Sequence, residues 1–258
     1  MLDDNSDIPP ENIVALRQAH AAGVTVAIAS GRMPPLIDPI QDRLAIDMPL
    51  IAYNGSRVVG TRAEGRPIIY DRPLAPDVAA FIVDFSKREG HLLNYFLDDR
   101  LYGEADGERS RWMAYYVART GAEYTITDLA RFDGRAPNKV ILIAETPVRD
   151  RLYEYFCKEL GARAEVVKTV PEFIEFMDPG VNKGVALPML AQHCGVSTQE
   201  ILAIGDQDND IAMLEAAGIG IAVANANDNV KEAANNVTRR SNNDGGVAEA
   251  VRKIVLNE

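Results

Sequence analysis

Several polar residues that could bind a cation and a phosphate follow an apolar run in the last quarter of the chain. Residues 201–205 have the composition of a buried strand, and Asp206, Asp208, Asn209 and Asp210 come directly after them. In open α/β sheets, ligands bind beyond the carboxyl ends of the strands. A carboxylate there, with a helix starting just behind it, suits a hard cation and a phosphate together. We therefore predict that Asp206 binds Mg²⁺, with Asn209 or Asp210 in support.

An ordinary helix start is the alternative explanation for the same residues. Asp208 or Asn209 would then be the N-cap, and the remaining acids would favour the positive end of the helix dipole. Three acids and one amide within five positions are more than one cap needs. The pattern favours a functional site.

Two other positions have residue types suited to an anion. Ser30, Gly31 and Arg32 follow an apolar run, so the hydroxyl could donate to a phosphate oxygen and the glycine would let the backbone approach. Lys183 starts a predicted helix, where a cation opposes the helix dipole unless it neutralises a bound anion. The alternatives are that Ser30 caps the next helix and that Lys183 is a solvated surface lysine.

The elements around these residues predict an α/β fold. A helix opens at Pro10, and residues 24–29 form a continuous apolar run that is typical of a strand covered on both faces. Residues 49–53 form another short strand, which a turn at Asn54 stops. From about residue 76 to 175, paired strands mix with helices, so we predict an inserted α+β domain at 76–175 between the core segments 1–75 and 176–258.

Composition narrows the classes of partner. The formal net charge of −11 at pH 7 argues against nucleic acid or an anionic membrane as a main partner, although phosphorylated small molecules stay compatible with it. Two cysteines without metal or redox spacing predict no disulfide framework, and no apolar run is long enough to span a bilayer. We expect a cytoplasmic protein, and the composition does not indicate its oligomeric state.

Taken in order, the motifs resemble those of the haloacid dehalogenase superfamily, specifically its Cof-type sugar-phosphatase-like branch. The resemblance spans nearly the whole chain, and the predicted insert falls where this branch carries its α/β cap. It implies a Rossmann-like parallel-sheet core with that cap. The matching runs are residues 27–32, 51–55, 182–187, 205–210, 222–226, 230–234 and 243–247.

The resemblance also implies an activity and a set of site residues. The activity is Mg²⁺-dependent hydrolysis of phosphomonoesters through an aspartyl-phosphate, on small phosphorylated metabolites such as sugar phosphates. Lys183 would stabilise charge on the phosphate and the nucleophile, and Asp206 and Asp210 would be the metal ligands. The residues expected to contact substrate are Ser30, Gly31, Arg32, Asn54, Lys183 and Asn209.

The front of the chain departs from this pattern. The family opens with a strand that ends in Asp-x-Asp-Gly-Thr, which supplies the nucleophile and the general acid, and no Asp-x-Asp-Gly occurs in this sequence. Residues 1–7 resemble the loop just after that motif. We therefore expect the start at Met1 to be internal to a longer gene product, or the chain to be a truncated relic. As written, the chain should be a poor catalyst.

Two functions from different classes stay open at this point. The first is a phosphatase of this family whose nucleophile is missing from the chain, and a phosphomutase is a weaker variant of the same idea. The second is a non-catalytic phospholigand-binding or regulatory protein that keeps Ser30, Lys183 and Asp206 to hold a phosphorylated ligand.

Overall fold

The structure is a computed structural model that describes residues 1–258, and its fold is α/β, as the sequence predicts. It contains thirteen strands, most of them short. They are β1 (Ile28–Ala29), β2 (Leu50–Ala52), β3 (Arg57–Val59), β4 (Ile68–Asp71), β5 (Leu92–Leu97), β6 (Arg100–Gly103), β7 (Tyr124–Ile126), β8 (Lys139–Ile143), β9 (Glu165–Lys168), β10 (Phe173–Met177), β11 (Leu202–Gly205), β12 (Ile219–Ala222) and β13 (Asn236–Val237).

Nine α-helices accompany the strands, and most of the longer ones begin at a proline or end at a glycine. They are α1 (Pro10–Ala21), α2 (Asp38–Leu44), α3 (Pro76–Glu89), α4 (Gly107–Thr120), α5 (Thr146–Leu160), α6 (Lys183–Cys194), α7 (Ile211–Ala216), α8 (Asp228–Ala233) and α9 (Gly246–Val251). Proline is pre-organised for the first turn, and glycine adopts the left-handed conformation that ends a helix.

The chain divides into two compact units. The first consists of Met1–Arg32, Ile37–Tyr70 and Asn182–Glu258, and the second consists of Met33–Leu36 and Asp71–Val181. The predicted insert, 76–175, falls within the long segment of the second unit. Its assignment as a cap domain stays a prediction.

The first unit contains two separate sheets. One has the order β1-β2-β3-β4, with β1 and β2 parallel, and the other has the parallel order β11-β12-β13. Helix α6 packs against β2 and β3, and α7 packs against α6, β11 and β12. One apolar cluster therefore includes side chains from both sheets and both helices, such as Ile51, Leu187, Ala203 and Leu214.

The run at residues 24–29 differs from its predicted structure. Only Ile28–Ala29 forms a strand, and Val24, Thr25 and Ala27 are exposed rather than covered on both faces. The reason is that β1 lies at the edge of its sheet and pairs only with β2. Sequence composition cannot distinguish an edge strand from a central one, because the distinction depends on which strands pair.

The second unit is built on one six-stranded sheet with the order β7-β6-β5-β8-β10-β9. All of its pairs are antiparallel except β6 with β7, which agrees with the mixed pattern predicted for this region. A tight turn at Asp98 and Asp99 joins the antiparallel strands β5 and β6, and both residues adopt positive φ angles, of 51° and 56°. Helices α3 and α5 cover one face with a core rich in aromatic residues.

The helices of both units are too short or too polar to cross a lipid bilayer.

Candidate functional site

Lys183 is buried at the first turn of α6. The preceding residue, Asn182, caps this helix, because its side-chain oxygen accepts a hydrogen bond from the backbone N–H of Val185 at 2.9 Å. Gly184 allows α6 to approach α7 closely, since a Cβ there would lie 2.2 Å from the carbonyl oxygen of Ala212. The Lys183 side chain is only 7% exposed, so it is not the solvated lysine of the alternative explanation.

Asp210 is the partner of Lys183. Lys183 Nζ donates to Asp210 Oδ1 at 2.6 Å, and the backbone N–H groups of Asp206 and Gln207 donate to Oδ2 at 3.0 and 3.1 Å. The Lys183 ammonium thus neutralises a carboxylate that is 8% exposed, and the two backbone N–H groups add hydrogen bonds to it. The arrangement fixes the turn after β11 relative to the start of α6.

Asp206 is the carboxylate of this group that stays partly exposed. Its Oδ2 accepts a hydrogen bond from the Gln207 side chain at 2.9 Å, which orients the carboxylate at the end of β11. Asp208 is exposed and accepts from Asn227 Nδ2 at 3.2 Å. The helical turn at 208–210 is capped from Gln207, so neither Asp208 nor Asn209 is the N-cap of the alternative explanation.

A strained turn at the end of β2 places Asn54 beside this group. Tyr53, Asn54 and Gly55 have positive φ values of 51°, 57° and 105°. Gly55 is required because a Cβ there would lie 2.2 Å from the Asn182 carbonyl oxygen. Asn54 Oδ1 accepts a hydrogen bond from Asn209 Nδ2 at 3.0 Å. The ends of β2 and β11 therefore meet, and backbone strain of this kind is typical of functional sites.

Ser30 and Gly31 lie next to Asn54. The Ser30 N–H donates to the carbonyl of Ile51 at 2.8 Å, and the Asn54 N–H donates to the carbonyl of Ser30 at 3.0 Å. A Cβ at Gly31 would lie 2.7 Å from Asn54 Oδ1. Ser30 Oγ accepts from the N–H of Arg32 at 3.1 Å, which leaves its proton available as a donor.

Ser30 is not a helix cap. The next helical turn begins only at Pro34, and α2 begins at Asp38, both several residues after Ser30. The hydroxyl group instead stabilises the local turn through the Arg32 N–H. The helix-cap alternative to a binding role for Ser30 is therefore wrong.

The amino-terminal residue lies near the same site, which the sequence did not indicate. The amino group of Met1 lies near Asp206, Asp210 and Lys183, and burial lowers its pKa. Asn12 Nδ2 donates to the Met1 carbonyl at 3.1 Å. The sequence contained no local signal for this contact, because it joins segments that are far apart along the chain.

Two asparagines hold Asp4 in this segment. Asn243 Nδ2 and Asn242 Nδ2 donate to the two carboxylate oxygens of Asp4 at 2.9 and 3.0 Å. These bonds, that from Asn243 first, lower the pKa of Asp4. Asn243 belongs to one of the motif runs found in the sequence, and its contact with Asp4 gives that run a structural role.

The structure thus brings most of the predicted site residues together in the first unit. Ser30, Gly31, Asn54 and Asn209 form one continuous set of contacts. The pair Lys183 and Asp210, together with Asp206, forms a second set. The two sets meet where Gly55 touches Asn182 and Lys183. Arg32 is half-buried at the edge of this group.

The available donors fit Mg²⁺ only if the phosphate and water complete its coordination. No group of three or more His, Cys, Asp or Glu side chains is arranged to hold a metal ion by itself. Asp210 accepts three hydrogen bonds and Asp206 accepts one, from Gln207, so Asp206 is the more available carboxylate. Mg²⁺ commonly binds one or two carboxylates, substrate phosphate oxygens and several waters, so this donor set is suitable.

Comparison with known proteins identifies the class to which this fold and site belong. The model of the family described as haloacid dehalogenase-like hydrolase matches residues 1–251. The chain therefore belongs to that family, and its curated and structural neighbours are Cof-type phosphatases of this kind. This confirms the resemblance stated from the sequence and the Rossmann-like core.

Particular relatives cover most of the chain. YxeH of Bacillus subtilis is 31% identical over 99% of this chain and 95% of its own length. The HMP-PP phosphatase of Cronobacter sakazakii is 30% identical over 83% of this chain and 76% of its own length. The crystal structure of TM0651 from Thermotoga maritima superposes with a TM-score of 0.87 at 28% identity, covering 98% of this chain and 93% of that one.

Proposed function

We propose that this chain carries the phosphate- and Mg²⁺-binding part of a phosphomonoester hydrolase that acts on small phosphorylated metabolites, sugar phosphates among them, in the cytoplasm. The observation that carries this proposal is the buried ammonium of Lys183, held by Asp210 at the end of the strand that also presents Asp206. A buried ammonium next to a half-exposed carboxylate that can hold Mg²⁺ suits a phosphate, because the ammonium and the metal ion would each neutralise part of its charge. The phosphatase relative described above supports the substrate class.

Each polar group has a distinct task in this proposal. The Ser30 hydroxyl and the Lys183 ammonium donate hydrogen bonds to phosphate oxygens, and Asn209, positioned by Asn54, orients the same group. Asp206 holds Mg²⁺ with the phosphate and water. When bound, Mg²⁺ would offset the charge that develops on the phosphoryl group.

Asp210 takes a supporting task rather than the direct metal contact expected from the resemblance. Its two oxygens already accept three hydrogen bonds, from Lys183 and from the backbone of residues 206 and 207. These bonds leave one lone pair of Asp210 for a metal, next to the Lys183 ammonium, which would repel the cation. We therefore assign Asp206 as the metal ligand and Asp210 as the residue that positions Lys183 and the loop of Asp206.

Catalysis through an aspartyl-phosphate needs a nucleophile that this sequence does not contain as the family motif Asp-x-Asp-Gly-Thr. We expect the 258-residue chain to show no turnover of an aryl phosphate. We expect a chain extended before Met1 by an apolar strand ending in that motif to show turnover. An extended chain that folds and binds Mg²⁺ but does not hydrolyse the ester would contradict the phosphatase proposal.

A non-catalytic phospholigand-binding protein is the second candidate. It is favoured by the tasks of the two site carboxylates, because Asp210 neutralises Lys183 and Asp206 is the proposed ligand of Mg²⁺. Neither is left as an obvious nucleophile. This candidate gains support if the extended chain binds phosphate with Mg²⁺ and still hydrolyses nothing.

The first test is binding, because it does not depend on the nucleophile. Isothermal titration of the chain with orthophosphate should show saturable binding in the presence of Mg²⁺ and at least tenfold weaker binding in its absence. Asp206→Asn should weaken Mg²⁺ binding at least tenfold, since a neutral amide is a poorer ligand for this hard cation.

Asp208→Asn is the matched control for Asp206→Asn. It removes the same charge two residues away, from an exposed carboxylate that accepts a hydrogen bond from Asn227. Its Mg²⁺ affinity should stay within twofold of the unmodified chain. Equal loss in the two variants would indicate a general charge effect and would contradict the assignment of Asp206.

A further inference from the structure

Gln207 connects the proposed metal ligand to the buried ion pair of the site. Its side-chain Nε2 donates a hydrogen bond to Asp206 Oδ2 at 2.9 Å. Its backbone N–H donates to Asp210 Oδ2 at 3.1 Å, and its carbonyl accepts from the Asp210 N–H at 2.8 Å. Asp210 therefore fixes the backbone of Gln207, and the amide nitrogen of the Gln207 side chain is directed at Asp206.

The backbone of Asp206 is fixed on both sides as well. Its N–H donates to Asp210 Oδ2 at 3.0 Å, and its carbonyl accepts from the N–H of Asn227, the residue before α8, at 3.1 Å. The side-chain amide of Asn227 donates to Asp208 instead. With its backbone held, the Asp206 carboxylate can change direction only through its side-chain torsions, and the hydrogen bond from Gln207 restricts those torsions.

The two carboxylate oxygens of Asp206 are therefore not equivalent. Oδ2 accepts the hydrogen bond from Gln207, and Oδ1 accepts none within residues 1–258. Each carboxylate oxygen has two lone pairs, so a cation could still reach Oδ2, but it would share that oxygen with a positively polarised N–H group. The hydrogen bond thus favours binding of a cation through Oδ1 alone over binding through both oxygens.

Binding through one oxygen or through two distinguishes the common divalent cations. Mg²⁺ is small, demands nearly octahedral geometry and keeps several of its waters, so one carboxylate oxygen suits it. Ca²⁺ takes about six to eight oxygen ligands in a flexible arrangement and can use both oxygens of one carboxylate. A group that engages one oxygen of a carboxylate ligand therefore costs Ca²⁺ more than it costs Mg²⁺.

We propose that Gln207 determines the preference of this site for Mg²⁺ over Ca²⁺, because its side-chain amide engages Oδ2 of Asp206 and leaves Oδ1 for the cation. Gln207 is a positioning residue in this proposal, since it acts through Asp206 and contacts neither the metal nor the phosphate. The inference rests on the proposed function, in which Asp206 is the ligand of Mg²⁺.

The test compares the two cations on two forms of the chain. The full 258-residue chain and Gln207→Met, whose side chain has a similar length and no N–H donor, are titrated separately with MgCl₂ and CaCl₂. The backbone amide shifts of residues 205–210 in NMR spectra give the dissociation constant of each cation. The ratio of the Ca²⁺ constant to the Mg²⁺ constant should fall at least threefold in Gln207→Met, because Ca²⁺ gains access to the second oxygen of Asp206.

Gln199→Met is the matched control for Gln207→Met. Gln199 is exposed, as Gln207 is, and the variant makes the same chemical change before β11 rather than after it. Its ratio of dissociation constants should equal that of the unmodified chain. A general loss of stability would weaken the binding of both cations together and would not change this ratio. An unchanged ratio in Gln207→Met, or an equal fall in Gln199→Met, would overturn the proposal.

The side-chain amide of Gln207 in the unmodified chain gives a second readout, which does not require any variant to fold. One of its two N–H protons should resonate downfield of a free glutamine amide and should stay there when Mg²⁺ saturates the chain, because the hydrogen bond to Asp206 Oδ2 persists. Loss of this shift on addition of Mg²⁺ would overturn the proposal, since the cation would then have displaced Gln207 from Oδ2.

Asp206→Asn separates the failure of this inference from the failure of the proposed function. If Asp206→Asn weakens the binding of both cations at least tenfold and Gln207→Met leaves their ratio unchanged, only the role of Gln207 is wrong. If Asp206→Asn binds both cations as the unmodified chain does, or if neither cation shows saturable binding, the proposed metal site is wrong and the role of Gln207 with it.

Discussion

The two units of this protein each have an apolar core, and they differ in the aromatic and polar groups that are buried with it. In the second unit, Phe156 is fully buried and its ring contacts Phe81, Phe85 and Phe176 at centroid distances of 4.8 to 6.3 Å. In the first unit, the buried residues include Lys183 and Asp210, which form an ion pair at the end of a strand. Lys139 and Glu175 form a buried pair in the second unit as well, so the difference lies in the aromatic packing around Phe156 and in the polar groups around Lys183 and Asp210.

Under the proposed function, this difference separates the groups that stabilise the protein from those that bind its ligand. Aromatic packing gains free energy from apolar burial and leaves no group to bind a ligand. A buried ion pair contributes little net stability, because desolvation offsets the attraction, but it keeps charged groups fixed. The first unit therefore retains features that packing alone would not favour.

The largest expected effect is in the aromatic cluster of the second unit. Phe156→Ala should lower the free energy of unfolding by about 3–5 kcal/mol, because it removes a fully buried ring and leaves a cavity. Chemical denaturation followed by circular dichroism measures the change. Phe156→Leu, which keeps most of the volume, should cost less than about half as much. Similar losses in the two variants would show that the aromatic contacts, rather than the volume, dominate.

The next comparison uses one buried ion pair from each unit. Lys183 pairs with Asp210 in the first unit, and Lys139 pairs with Glu175 at 3.1 Å in the second, with side chains 6% and 9% exposed. Replacing either lysine by methionine leaves a buried carboxylate without its cation. Each variant should lose about 3 kcal/mol of stability.

Only one of these two variants should affect ligand binding. Lys183→Met should abolish Mg²⁺-dependent orthophosphate binding in a calorimetric titration, whereas Lys139→Met should leave it within twofold. Both titrations are run at a temperature below the thermal denaturation midpoints of the two variants, so that folded protein is titrated. Equal loss of phosphate binding would mean that general destabilisation, rather than the Lys183 ammonium, explains the effect.

The sequence predicted the polar residues at strand ends and could not predict their partners. Three predicted site residues follow short apolar runs in the sequence, and in the structure each lies just after a strand: Ser30, Asn54 and Asp206. The pairing of Lys183 with Asp210 spans 27 positions, and that of Asp4 with Asn243 spans 239. Such contacts follow from the tertiary arrangement, which local patterns do not encode.

The same limit explains the one strand that was described wrongly. Residues 24–29 have the composition of a central strand, yet Val24 and Ala27 are exposed and only Ile28–Ala29 is paired. The mixture of paired strands and helices predicted for residues 76–175 agrees with the second unit, because a hairpin and an amphipathic helix depend on neighbours close in sequence. Local patterns therefore describe the aromatic unit better than the polar one.

The smallest expected effect is a pH dependence that belongs to the second unit. Burial lowers the pKa of His91, whose ring stacks on Phe85 at 6.3 Å, while Glu89 raises this pKa and Arg109 lowers it. Protonation is thus easier in the unfolded chain than in the folded one. The contribution of His91 to stability is complete above its unfolded pKa of about 6.5 and is lost as the pH falls below that value.

His91→Gln should remove this part of the pH dependence, so that the free energy of unfolding falls less between pH 7 and pH 5 than in the unmodified chain. His20→Gln, at an exposed position of α1, is the control and should leave the slope unchanged. Denaturation midpoints measured at several pH values test both variants. If the acid sensitivity of the second unit comes from the His91 ring, only His91→Gln will flatten the plot of unfolding free energy against pH. A flatter plot for both variants would assign the effect to a change in overall charge.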